Sequence, residues 1–167
     1  SRIVPPRNLS DANELSAVGE IVLPYLEYGA SKTVQVAVAC IRTISRVGGE
    51  QSILMLEKYA QDERQGVLRE LLRAADRFDD DDLYEERVLS RSRCTGFRLE
   101  KFRHEVVRRL ARVPGLRTLE VVNSWVGDPA GLAAFRELRS LSVGFFQLDY
   151  DFSPLSELKR LTSLTLK

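Results

Sequence analysis

Leu116-Arg-Thr-Leu119-Glu-Val121 is restated further along the chain as Leu138-Arg-Ser-Leu141-Ser-Val143. A third copy, Leu161-Thr-Ser-Leu164-Thr-Leu166, follows at nearly the same interval, and a degenerate fourth, Cys94-Thr-Gly-Phe97-Arg-Leu99, precedes the first at the same interval. Within each copy the closing residues alternate apolar and polar, as a strand with one buried face must. Ahead of the strands the apolar residues come at threes: Leu110, Val113, Leu116; Leu132, Phe135, Leu138; Leu155, Leu158, Leu161. That spacing predicts one short helix or 3₁₀ turn pressed onto a core. Asp128-Pro129 and Ser153-Pro154 each offer a side-chain cap, followed by a proline where no amide hydrogen is needed. A single unit of strand, turn, short helix and turn cannot bury its own apolar edge, whereas stacked copies share a core.

Residues 93–167 resemble the leucine-rich repeat family through their L-x-x-L-x-L phrases and unit length. The asparagine ladder of that family is missing: Ser124 and Phe146 stand at its position, and Asn123 falls one residue early. The turn after the strand is therefore expected to be irregular.

The N-terminal half has a longer rhythm. One constant shift, without gaps, lays Leu23 on Leu54, Tyr28 on Tyr59, Val36 on Val67, Cys40 on Leu71, Ile41 on Leu72 and Val47 on Phe78. Each copy reads as two helices around a polar break, Ala30-Ser31-Lys32 or Gln61-Asp62-Glu63. Ala37, Cys40, Ile41, Ile44 and Val47 form one buried stripe; Leu68, Leu71, Leu72, Ala75 and Phe78 form its counterpart. Gly48-Gly49 ends a helix and the Asp79–Asp82 run opens another. These tandem helix pairs resemble short HEAT-like repeats, although the period is shorter than that of standard HEAT units. The junction Ser90-Arg-Ser-Arg-Cys94 has no Pro/Gly-rich linker, so one continuous core through the junction is expected. The fold read from the sequence is an α+β repeat solenoid: helical HEAT-like hairpins continuing into a short α/β leucine-rich-repeat array. Its divisions are an N-terminal extension over 1–14, helical repeats over 15–90 and leucine-rich repeats over 91–167, incomplete at the C-terminus.

Composition narrows the function. The 167 residues are 44% hydrophobic and 29% charged with a net charge of +1, which fits a globular chain and gives no global field for nucleic acid or membrane. No apolar run approaches a transmembrane span, and the first residues lack the apolar heart of a signal peptide. Two distant cysteines, Cys40 and Cys94, fit a reduced, cytoplasmic protein, with Cys40 in a helical core. The basic residues are 20 Arg and 5 Lys, a bias that suggests GC-rich coding rather than a site.

Catalytic groups are not assembled by the sequence, and neither catalytic, cofactor-binding nor metal-binding residues are assigned. His104 is the one histidine and reads as a surface residue. Two cysteines and one histidine at no ligand spacing do not make a zinc site. The Asp79–Asp82 run lacks the glycine and distal glutamate of a calcium loop and reads as helix N-terminal charge. No G-x-x-x-x-G-K-[ST] loop occurs. Nine basic residues between Arg91 and Arg117 could touch phosphates, but mutual neutralisation with neighbouring carboxylates along a solvated face is the expectation, and nucleic acid is not the expected partner.

The candidate site is the outward face of the strands. Alternation points Arg98 and Glu100, then Thr118, Glu120 and Val122, then Ser140, Ser142 and Gly144, then Ser163 and Thr165 away from the core. Trp125 and Phe145 follow two of the strands and join this set; with Phe146 and Tyr150 they either anchor a partner or cover the repeat edge, and the sequence leaves both open. Leu161, Leu164 and Leu166 are expected to form an open apolar edge, which either frays or associates with a second copy.

Helical pairs followed by leucine-rich repeats resemble the C-terminal sensor region of bacterial NACHT-type, NLR-like STAND NTPases, and Glu63–Leu89 is similar to the helical repeats found there. The resemblance implies a recognition and autoinhibition module that binds a protein ligand and contacts an upstream NTPase domain. The ATPase motifs themselves are absent here. The alternatives are a free-standing scaffold or adaptor, and an enzyme such as a HEAT-like lyase acting on bilin chromophores.

Overall fold

The computed structural model describes residues 4–27, 33–123, 129–144 and 151–167, and divides into two compact units, Ser1–Ser92 and Arg93–Lys167. It is a mixed α+β structure, with several helices and a small parallel sheet. The two units are described in turn.

The first unit is helical. Helix α1 (Leu9–Ser16) is opened by Asn8, whose Oδ1 accepts from the amides of Ser10 and Asp11 at 2.9 and 3.0 Å. It therefore falls across the end of the expected 1–14 extension, and it packs on α2 (Val34–Val47), with Ala12 wholly buried. Thr33 caps α2 by accepting from the Val36 amide. The α2 stripe predicted from periodicity is the buried one at Ala37, Cys40, Ile41 and Ile44, with Val47 only half-buried. Gly48, at φ 74°, ends α2, and Gly49, at φ 79°, starts α3 (Gly49–Tyr59); both torsions are in the region glycine tolerates best.

Helix α4 (Gln65–Ala74) buries Val67, Leu68, Leu71 and Leu72 and packs on α2. Arg42 and Glu70 tie these two helices through paired hydrogen bonds, Nε to Oε1 at 2.6 Å and Nη2 to Oε2 at 3.0 Å. Asp80 then caps α5 (Asp81–Arg87), its Oδ1 accepting from the Leu83 amide at 2.9 Å. Two buried tyrosines satisfy their hydroxyls on distant carbonyls: Tyr59 donates to Leu26 O at 2.6 Å and Tyr84 to Leu71 O at 2.8 Å.

The equivalence of the two helical copies is incomplete. Where the second copy has α3, the first has a 3₁₀ helix over Gly19–Leu26 with Pro24 inside it. Proline removes an amide donor and clashes with the preceding turn, which disfavours an α-helix there. Leu23 is 5% exposed while its counterpart Leu54 is 40% exposed. Tyr28 and the Ala30-Ser31-Lys32 break lie outside the described residues.

The second unit is built on four parallel strands in sequence order: β1 (Gly96–Lys101), β2 (Thr118–Asn123), β3 (Ser140–Val143) and β4 (Ser163–Leu166). Register follows the repeated phrase. Phe97, Leu119, Leu141 and Leu164 are matched across the sheet, as are Leu99, Val121, Val143 and Leu166. The first three of each row are buried, and Leu164 and Leu166 are 46% and 40% exposed. Only the first residue of each threefold-spaced set lies in a short helix: Leu110 in α6 (His104–Leu110), Leu132 in the 3₁₀ helix Pro129–Ala134 and Leu155 in the 3₁₀ helix Ser153–Glu157. The other two of each set lie between that helix and the next strand. Leu110, Val113, Leu116, Leu132, Phe135, Leu138 and Leu158 are buried, while Leu155 and Leu161 are half-buried.

The cap expected from Ser153 is not made: Phe152 holds the N-cap position without a side-chain cap bond, and Asp151 binds just ahead of the helix. The Asp151 carboxylate accepts from the Ser153 amide at 2.8 Å and the Ser153 hydroxyl at 2.9 Å, and Ser153 is already the first residue of its 3₁₀ helix. Asp128, Ser124 and Phe146 lie outside the described residues.

Candidate functional site

Parallel pairing gathers most of the predicted face into two straight rows. Gly96, Thr118, Ser140 and Ser163 are matched in one, and Arg98, Glu120, Ser142 and Thr165 in the next. Neighbouring members stand about 4.8 Å apart, one strand spacing. Arg98, Glu100, Thr118, Ser163 and Thr165 are exposed; Glu120, Val122, Ser140 and Ser142 are half-buried. The face is thus graded, with long charged side chains on β1 and β2 and short hydroxyls on β3 and β4.

Arg98 Nε lies 3.7 Å from Glu120 Oε2, a cross-strand ion pair with both side chains about half exposed. Such a pair contributes little to stability and is cheaply exchanged for another partner. Gly144 plays a backbone role. Its amide donates to Val121 O at 2.8 Å, and a Cβ added there would lie 2.9 Å from Val122 O. Trp125, Phe145 and Tyr150 lie outside the described residues.

The other chemistry-bearing residues are scattered. His104 is exposed at the first position of α6. Cys40 and Cys94 are both buried thiols, and Cys94 Sγ donates to Gly96 O at 3.1 Å. Among the described residues, no three His, Cys, Asp or Glu side chains are grouped so as to hold a metal ion.

Part of the basic segment is paired locally. Arg91 pairs with Glu57, Arg98 with Glu120, and Arg108 and Arg109 approach Glu105 at 3.9 and 3.5 Å. Arg109 departs from the solvated face expected of it. It is buried, with Nη2 3.5 Å from Glu105 Oε1.

Sequence reading passed over one pair. The arginine of each repeated phrase, Arg117 and Arg139, occupies the residue just before its strand. Backbone bonding puts the two side by side on one rung: Arg139 N donates to Arg117 O at 2.8 Å. Both are exposed. The identical second letter of L-R-T-L and L-R-S-L was the signal.

Searches against protein families, curated proteins and solved structures found no match to this chain. Among the described residues no helix is long and apolar enough to cross a membrane.

Proposed function

We propose that this chain is a non-catalytic protein-recognition module, built as a repeat solenoid in which HEAT-like helical pairs lead into leucine-rich repeats. The single observation that carries the reading is the pair of register-matched polar rows on one sheet face, Thr118–Ser140–Ser163 and Arg98–Glu120–Ser142–Thr165. A protein ligand uses such hydroxyls and charges for hydrogen bonds and register. The helical half supports the same reading through its tandem stripes on α2 and α4.

Within this reading the module is the sensor and autoinhibitory region of a signalling or defence NTPase of the NACHT type, working in the cytoplasm. A photo-crosslinking residue at Thr118 or Ser142, compared with one at Arg112, tests the face in the intact parent protein. Recognition through the sheet gives crosslinks to one discrete protein from Thr118 and Ser142 only. Equal labelling from all three positions, or none from the strands, refutes it. A P-loop encoded upstream in the same reading frame separates the NTPase sensor from a free-standing adaptor.

A further inference from the structure

The rung that opens the strands reads Thr95, Arg117, Arg139, Thr162. Arg117 N donates to Thr95 O, Arg139 N to Arg117 O and Thr162 N to Arg139 O, each at 2.8 Å. Two arginines therefore sit side by side just ahead of β2 and β3, about 4.8 Å apart at the backbone. Both are exposed, and neither makes an ion pair among the described residues. Two charge pairs between neighbouring repeats of this unit are of opposite sign: Arg98 faces Glu120, and Arg160 pairs with Glu137. Like charges directly opposite each other in a sheet are destabilising. Arg117 and Arg139 have no carboxylate beside them on this rung, whose other members are Thr95 and Thr162.

We infer that this rung is a docking point for an acidic protein segment, whose carboxylates take the two guanidinium groups. Arginine suits that task because its planar fork matches a carboxylate through two parallel hydrogen bonds. An extended acidic segment places alternate side chains on one side about 7 Å apart, within reach of two flexible arginines. Nucleic acid fits less well. Duplex binding draws its strength from many neutralised phosphates, and only two cations stand together on this rung. The chain is also polarised: residues 93–167 carry 13 Arg and Lys against 8 Asp and Glu, while residues 1–92 carry 12 against 16.

The rung lies at the end of the sheet rather than on its polar rows, so its test is independent of the one above. Fluorescence anisotropy of a short fluorescein-labelled peptide of alternating glutamate and serine, at low ionic strength, reads binding to the full chain. Arg117→Glu with Arg139→Glu should weaken binding about tenfold or more, while Lys101→Glu with Arg103→Glu, the same charge change at exposed positions off the rung, should cost about twofold at most. If the reversal variant fails to fold by circular dichroism, Arg117→Gln with Arg139→Gln removes the charges alone and should show the same loss. Equal losses in the on-rung and off-rung variants, no saturable binding by the wild type, or equally tight binding of a short DNA duplex would each overturn the inference.

Discussion

The two units repeat themselves under different constraints. In the sheet unit, the successive copies hold one register across all four strands. In the helical unit, the two copies agree at Cys40 and Leu71 but part at Leu23 and Leu54. The reason lies in where the backbone hydrogen bonds go. A helix satisfies its own amides, so one copy can become a 3₁₀ helix around Pro24 without disturbing its neighbours' bonds. Parallel strands must find their partners in the next copy, and a slip of one residue turns every side chain to the other face. Repetition is therefore strict where copies bond to one another and loose where they only pack.

The largest expected effects test that difference directly. Leu119 and Leu141 are wholly buried and matched in register. Changing either to alanine should cost about 2–5 kcal/mol, through lost burial and the cavity left behind. Thr118→Ala, one residue away on the exposed face, should stay within about 0.5 kcal/mol of wild type. Urea unfolding measures all three, and similar losses at Thr118 and Leu119 would break the register.

The helical counterpart should be unequal. Leu23→Ala is expected to cost about 2–5 kcal/mol, and Leu54→Ala clearly less, because Leu54 keeps 40% of its surface in water. Matching losses at these two positions would restore the equivalence of the helical copies and remove the contrast between the units.

These expectations also mark how far the sequence could be read. The strands were legible because L-x-x-L-x-L carries both the alternation and the copy spacing, and even the degenerate phrase around Phe97 joins the sheet in register. The α2 and α4 stripes were legible from helical periodicity. What stayed hidden depends on contacts that no local pattern encodes. Tyr59 finds its acceptor at Leu26, and Arg42 finds Glu70, both far away along the chain. Of the candidate face, the register-matched polar rows could be read from alternation, but the backbone role of Gly144 could not. Its lack of a side chain is required by Val122 O, and only the approach of neighbouring strands shows that.

Gly144 consequently offers an intermediate test of the sheet unit. A methyl there would meet a main-chain carbonyl that cannot swing aside, so Gly144→Ala should destabilise by about 1–3 kcal/mol. Gly115, with open space where its Cβ would be, should accept alanine with little change in melting temperature. If Gly144→Ala melts with the wild type, strand spacing at the end of β3 is not fixed as tightly as the register implies.

The smallest effect concerns how a short helix is started when the strands, not the helices, set the frame. Asp151 holds the Ser153–Glu157 turn through the Ser153 amide, then through the Ser153 hydroxyl, and these bonds lower its carboxyl below the ordinary value of 3.8. A carboxylate whose folded pKa is depressed adds stability above its unfolded pKa, and that stability is lost as pH falls through the folded value. Asp151→Ala should therefore lower the melting temperature slightly at neutral pH, and the difference from wild type should close below about pH 4, as the unmodified carboxyl takes up its proton. The side chain is fully exposed, so salt and solvent keep the effect small. Asn8, which caps α1 with a neutral amide, supplies the control: the loss caused by Asn8→Ala should show no comparable closing across the same pH range. A difference at Asp151 that is equally flat with pH would mean that the turn is held by packing of Leu155 and Leu158 rather than by the Asp151 carboxylate.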